Sequence, residues 1–223
     1  DIEIAAKNGG YSEILAMPNS AKIIDSIENL LEAKRFDEVL DIKVHRTGSL
    51  TKGLLGKEPI NYKEFIGHGV FIFTDDGLSV VDDALAEEIF KSLKFENGAV
   101  FQHCEKSCHT SPGDIAPPND GGILKPIPVS EETEILERDL SLVEKYGTRY
   151  HAQHLSTEES VRLIKEAKMN KLPVTAEVTP HHLLINNTNI ETSNGMYKMY
   201  PPIRTSRDQL ALIEGLKEGI IDV

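Results

Sequence analysis

The feature that most constrains this chain is an order repeated along it: a short apolar run ending in polar residues, then a longer segment with helical spacing. The apolar runs cover 11–17, 42–50 (with Gly48 inside), 69–73, 99–102, 149–153 and 173–178, and a further one begins at 219–223. Between them, apolar residues recur at three- to four-residue steps, as expected for helices with one buried face. Ile23, Ile24, Ile27, Leu30 and Leu31 form one such set, and Leu85, Ile89, Phe90 and Leu93 another, within 82–95. A helix is expected over 130–145, with Glu131, Glu132 and Glu134 at its positive end. Two more are expected behind capping boxes, Ser156/Glu159 before 161–169 and Ser206/Gln209 before Leu210.

Strand–helix alternation implies parallel strands with helical crossovers. An open doubly wound sheet would more often show a glycine-rich phosphate loop after its first strand, and none is present. Chemically capable residues instead follow nearly every run, as in a barrel whose site collects groups from the C-terminal ends of many strands. The expected fold is therefore α/β, an incomplete (β/α)8 TIM-type barrel. Residues 1–223 are expected to form a single partial barrel domain, roughly strands 2 to 7 and the start of strand 8.

Composition narrows the function classes. The chain is 39% hydrophobic and 27% charged, ordinary for a globular domain, and its formal charge of −12 disfavours nucleic acid and anionic lipid as partners. Apolar runs fall far short of the roughly 20 residues that cross a bilayer. No secretory signal is visible at Asp1-Ile2-Glu3-Ile4, and two cysteines are too few for a disulfide framework, so a cytoplasmic setting is expected.

Asp76, His103 and His154 each lie just past a different run. In a barrel those positions converge, and one carboxylate with two imidazoles is a ligand set that suits a catalytic zinc. A plainer reading stays open, because Asp-Gly is a common turn pair and the histidines could be satisfied core groups. His151 and His154 are three apart, so on a strand they point to opposite faces; His154 is the better site candidate and His151 is expected under a helix. Cys104, Cys108 and His109 crowd His103 too closely for a structural zinc with no distant second pair. The 106–129 stretch, with five prolines, reads as a long loop. Asn19 could bond a planar amide or carboxylate. Lys52, Lys57 and Arg204 are expected to be solvated surface charge, His181-His182 is expected to be structural, and His45 and His68 have no evident role.

Taken together, the motifs resemble bacterial-type dihydroorotases of the amidohydrolase superfamily. The resemblance is carried in order by Ala16-Met17-Pro18-Asn19-Ser20, Phe73-Thr74-Asp75-Asp76-Gly77, His103-Cys104-Glu105 and 151–157. It continues through 176–183, Lys198-Met199-Tyr200-Pro201-Pro202-Ile203-Arg204 and 211–216, and so spans essentially the whole sequence. It implies a hydrolase of pyrimidine biosynthesis that interconverts N-carbamoyl-L-aspartate and dihydroorotate at a two-zinc centre. By motif position it implies Asp76 as the bridging carboxylate, His103 and His154 as ligands of the second zinc, and Asn19 as a substrate contact. Tyr200 stands where relatives commonly carry a substrate-contacting asparagine. The Thr-Asp-Asp-Gly aspartate also separates this branch from hydantoinases and allantoinases, which usually bridge their metals with a carboxylated lysine.

The family's H-x-H pair and substrate-binding arginine are expected ahead of residue 1, and its general-base aspartate beyond Val223. A barrel lacking those strands would expose two edges, so these residues are expected to be part of a longer protein or to need a partner, and to be inactive alone. Two alternatives remain: a non-catalytic dihydroorotase-like subunit that supports aspartate carbamoyltransferase, and a hydantoinase- or dihydropyrimidinase-type cyclic amidase. A homo-oligomer is a further expectation.

Overall fold

A computed structural model describes residues 2–106, 127–190 and 195–223. Most of the expected 106–129 loop, with Cys108 and His109, lies outside the described residues. The described chain is a partial (β/α)8 barrel. Six short strands carry it: β1 (Glu13–Ala16), β2 (Lys43–Arg46), β3 (Ile72–Phe73), β4 (Ala99–Gln102), β5 (Arg149–Ala152) and β6 (Val174–Ala176). All pairings are parallel, β1 with β2, and β3 to β6 in sequence order. A bridge between Gly48 and Phe73 joins the two groups. Gly48 is required there by close approach, since a β-carbon would sit 2.9 Å from the Phe65 ring and 3.0 Å from that of Phe73.

Helices α1 (Ile2–Asn8), α2 (Ile27–Asp37), α3 (Tyr62–Gly67), α4 (Asp83–Phe95), α5 (Val129–Tyr146), α6 (Glu158–Met169), α7 (Pro180–Leu184) and α8 (Ser206–Lys217) complete the frame. Alternation along each strand divides its side chains between two faces. Val100, Tyr150, Val174 and Ala176 are buried on the helix side, where Tyr150 stacks on Phe90 of α4 at 5.9 Å. Phe73 packs edge-on against Tyr62 of α3 at 4.9 Å. Full burial of a large apolar side chain such as Val100 or Phe73 contributes on the order of 2 kcal/mol. Residues 219–223 begin a further pairing on β6: Asp222 N donates to Ala176 O and Val178 N to Val223 O, each at 2.9 Å. Among the described residues, no helix is long and apolar enough to cross a membrane.

Several local expectations shift. The helix expected from Ile23 starts at Ile27, capped by Ser26, because Ile24 is buried in a loop pinned by Pro18 O and Ser49 N. Both expected caps move by one residue, and a capping box forms only at α8. Thr157, not Ser156, caps α6 by accepting from Ser160 N, and Thr205 with Asp208 forms the box of α8. Adjacent Ser/Thr residues with polar groups three positions on fit the pattern equally well, and the Ser156 hydroxyl is taken by buried Glu132. Arg204 is not solvated: it is 5% exposed, and its Nε donates to Ser156 Oγ at 3.1 Å while Nη1 donates to Ile127 O.

His182 is structural, as expected. Its Nε2 lies 3.2 Å from both Pro201 O and Pro202 O, which requires a proton on that nitrogen, and its Nδ1 is 2.7 Å from the Thr179 hydroxyl. Burial, with His181 alongside, pulls its pKa down to about 4 from an ordinary 6.5. The unfolded chain therefore binds this proton first as pH falls. The stabilisation is complete above pH 6.5 and is lost as pH drops from there toward 4, a change of about 3 kcal/mol over the window. Melting curves of the unsubstituted chain and His182→Gln between pH 7.5 and 4 should converge as pH falls. A difference that does not change with pH would contradict this role.

Candidate metal centre

The strands deliver their functional groups at one end. Asn19 follows β1, Thr74-Asp75-Asp76 follow β3, His103-Cys104-Glu105 follow β4, Gln153-His154 follow β5 and Glu177 follows β6. Asp76, His103 and His154 meet there, with one ligand atom from each lying within 4.8 Å of the others. His103 Nδ1 and His154 Nε2 are 3.0 Å apart, and His154 Nε2 is 3.6 Å from Asp76 Oδ1. The two rings cross at 74°. His103 is buried, whereas Asp76 and His154 are partly open to solvent.

Each ligand is held from behind. His103 Nε2 contacts Glu105 Oε2 at 2.9 Å, which leaves Nδ1 turned toward the triad. Glu105 is itself fixed by its backbone N, which donates to Ser79 Oγ at 2.9 Å. Asp76 is gripped by two amides: Asn19 Nδ2 donates to its Oδ2 at 3.2 Å and to its backbone O at 3.0 Å. Gln153 Nε2 lies 3.5 Å from Asp76 Oδ1, and Gln153 Oε1 accepts from the Thr74 hydroxyl at 2.8 Å. Burial pushes the Asp76 carboxyl upward, but His154, His103 and Asn19 outweigh it and hold the group below its ordinary value. The neighbouring Asp75 faces away and accepts from Leu50 N at 2.7 Å and Thr51 N at 3.0 Å, fixing the loop after β2.

His151 departs from expectation. It lies on the inner face rather than under a helix, stacked on Phe101 at 4.4 Å with Nδ1 2.7 Å from Thr175 Oγ1. The strand-face argument fails because β5 ends at Ala152 and His154 takes a positive φ of 33°, so the two histidines no longer obey strand alternation. Asn19 is exposed and adjoins Asp76. Tyr200 is 44% exposed and precedes the two prolines whose carbonyls His182 holds. Glu105, Gln153 and Glu177 were not singled out from sequence. The first two follow or precede a ligand by one or two residues, and that spacing was the only available signal.

The donor set fits a metal such as zinc: two imidazole nitrogens and one carboxylate oxygen, with a carboxylate behind one histidine. Comparisons with known proteins agree on the kind of barrel. A family model described as dihydro-orotase-like matches residues 1–160. The chain is similar to the dihydroorotase of Staphylococcus aureus, 38% identical over 225 residues, covering 98% of this chain and 52% of that protein. Similarity to the dihydroorotase of Bacillus licheniformis is 37% over 224 residues, with the same coverage of 98% and 52%. The chain thus spans about half the length of the curated relatives it matches. Among solved structures, the L-hydantoinase (dihydropyrimidinase) of Arthrobacter aurescens superposes with a TM-score of 0.80 at 22% identity, over 99% of this chain and 51% of that one. An inactive dihydroorotase-like domain of a Chaetomium thermophilum CAD-like multifunctional protein gives 0.64 at 18% identity, over 100% and 55%. These structural likenesses establish the fold.

Proposed function

The chain belongs to the dihydro-orotase-like family, and from that premise we propose that it is part of a dihydroorotase, which closes N-carbamoyl-L-aspartate to dihydroorotate and reopens it. The observation that carries this reading is the convergence of Asp76, His103 and His154 at the C-terminal ends of three strands. The presence of all three, with a carboxylate behind His103, favours a catalytic metal centre over a non-catalytic relative.

In this reading Asp76, His103 and His154 hold one zinc of a two-zinc centre. A zinc held by these three residues would supply a Lewis acid for the ring amide carbonyl and would lower the pKa of a water toward neutrality. The chain's own residues prepare the site. Glu105 fixes the ring of His103, so that one nitrogen faces the triad. Asn19 and Gln153 set the plane of the Asp76 carboxylate. The Asn19 amide nitrogen is committed to Asp76, which makes its carbonyl oxygen the group that accepts a substrate N–H. Tyr200, exposed just ahead of the buried residues 202–204, is the second substrate-side contact.

The test is zinc analysis of the full protein combined with a panel of dihydroorotate, hydantoin and dihydrouracil. Turnover of dihydroorotate well above the other two is expected, with bound zinc. Hydrolysis of hydantoin or dihydrouracil without dihydroorotate would move the assignment to the related cyclic amidases. Bound zinc with no turnover of any ring would make the protein a non-catalytic relative.

A further inference from the structure

The strand that delivers His154 does so through a sharp turn. β5 ends at Ala152, and His154 lies at φ 33°, a left-handed conformation uncommon for a residue other than glycine. Glu177 holds this turn at three points. Its backbone N donates to Ala152 O at 3.1 Å, its backbone O accepts from Leu155 N at 2.9 Å, and its side-chain Oε1 accepts from His154 N at 3.3 Å. The first two contacts continue the ladder between β5 and β6, and any residue at 177 could make them. The third needs a side-chain acceptor.

The carboxylate lies against a fixed neighbour. Glu177 Oε2 is 3.2 Å from His151 Nε2, a close approach without hydrogen-bond geometry that becomes an ion pair when His151 is protonated, and His151 is buried, stacked on Phe101 and held by Thr175 Oγ1. His151 takes no part in the triad, so its contacts explain the placement of Glu177 and nothing else in the site. The geometry points to Glu177, with His151 packed beside its carboxylate, as a positioning residue that aims the His154 ring at the metal position. Resting on the metal-dependent function proposed above, this adds two residues that the triad alone does not name. The backbone angle at His154 sets the direction of its Cα–Cβ bond. A modest change there swings Nε2, several bonds away, out of reach of Asp76 and His103.

Cobalt(II) binding to the full protein tests the idea without relying on turnover, through visible d–d bands and competition with a chelator. Glu177→Ala should weaken Co(II) affinity roughly 10- to 100-fold, the usual effect of removing a group that orients a ligand, and should alter the d–d spectrum. Glu177→Gln keeps an acceptor for His154 N–H and should recover most of the affinity. His151→Phe preserves the ring stack but frees the carboxylate, and should give a smaller loss. Unchanged affinity and spectrum in Glu177→Ala, or equal losses in the Ala and Gln variants, would overturn the proposal. If Glu177→Ala does not fold, unchanged binding in His151→Phe overturns it instead. Should the unsubstituted protein bind no more Co(II) than an Asp76→Ala control, the metal reading itself fails and the positioning role goes with it.

Discussion

Asp76→Ala is expected, on the proposed dihydroorotase reading, to abolish dihydroorotate turnover by the full protein and to lower its bound zinc. Asp76 supplies the triad's single carboxylate, and without it two imidazole nitrogens 3.0 Å apart remain with no anionic partner on their open side. His154 and His103 act against burial to keep the Asp76 carboxyl below its ordinary value, so at neutral pH it presents full negative charge to a cation. A fall in kcat/KM of about a thousandfold or more is expected, equivalent to roughly 4 kcal/mol of lost transition-state stabilisation.

Asp76→Asn separates charge from shape. It keeps the size of the side chain and one oxygen for Asn19, yet loses the anion. Comparable loss of zinc in both variants, with melting temperatures close to the parent, would place the effect on ligation. Because Asp76 is partly open to solvent and outside the hydrophobic core, neither change should cost the fold much. Unchanged zinc stoichiometry in Asp76→Ala would contradict the assignment.

What sequence alone revealed follows from which interactions are local. Strand ends and the residues just past them were legible because apolar periodicity and barrel topology fix where those residues emerge, and Asp76, His103 and His154 duly meet. The supports of the site were not legible. Glu177 reaches His154 across 23 positions, Asn19 reaches Asp76 across 57, and Gln153 reaches it across 77, and no spacing rule encodes such contacts. His151 was misplaced for a related reason: alternation holds only while the strand lasts, and β5 stops two residues before His154. Arg204 and Glu132 look like ordinary surface charge until the fold buries them. Capping residues fell one position off wherever two hydroxyl residues stood side by side.

Glu132→Ala is expected to produce the largest loss of stability. Glu132 lies near the start of α5, where a carboxylate would suit the helix dipole, but it is 3% exposed and turned inward. It accepts from Ser156 N at 3.1 Å, Thr157 Oγ1 at 3.1 Å and Ser160 Oγ at 2.5 Å, and from the Ser156 hydroxyl. One carboxylate thus ties α5 to the loop that follows His154 and to the first turn of α6. Alanine would strand a buried backbone N–H and three hydroxyls, at a cost of about 3–5 kcal/mol. For a chain of this size that corresponds to a drop of roughly 10 °C in melting temperature.

Arg204 sharpens the expectation. Its Nε donates to the same Ser156 hydroxyl that Glu132 accepts, so Ser156 bridges a buried cation and a buried anion. Removing Glu132 leaves the guanidinium buried without its nearest counter-charge on that side, whereas removing both charges does not. Glu132→Ala combined with Arg204→Met should therefore cost less than the sum of the single changes, with a coupling of about 1 kcal/mol or more in denaturant unfolding. A single-variant loss below about 1 kcal/mol would show that solvent reaches the network. Strictly additive losses would show instead that Arg204 is compensated by other groups, such as the Ile127 carbonyl that Nη1 already holds.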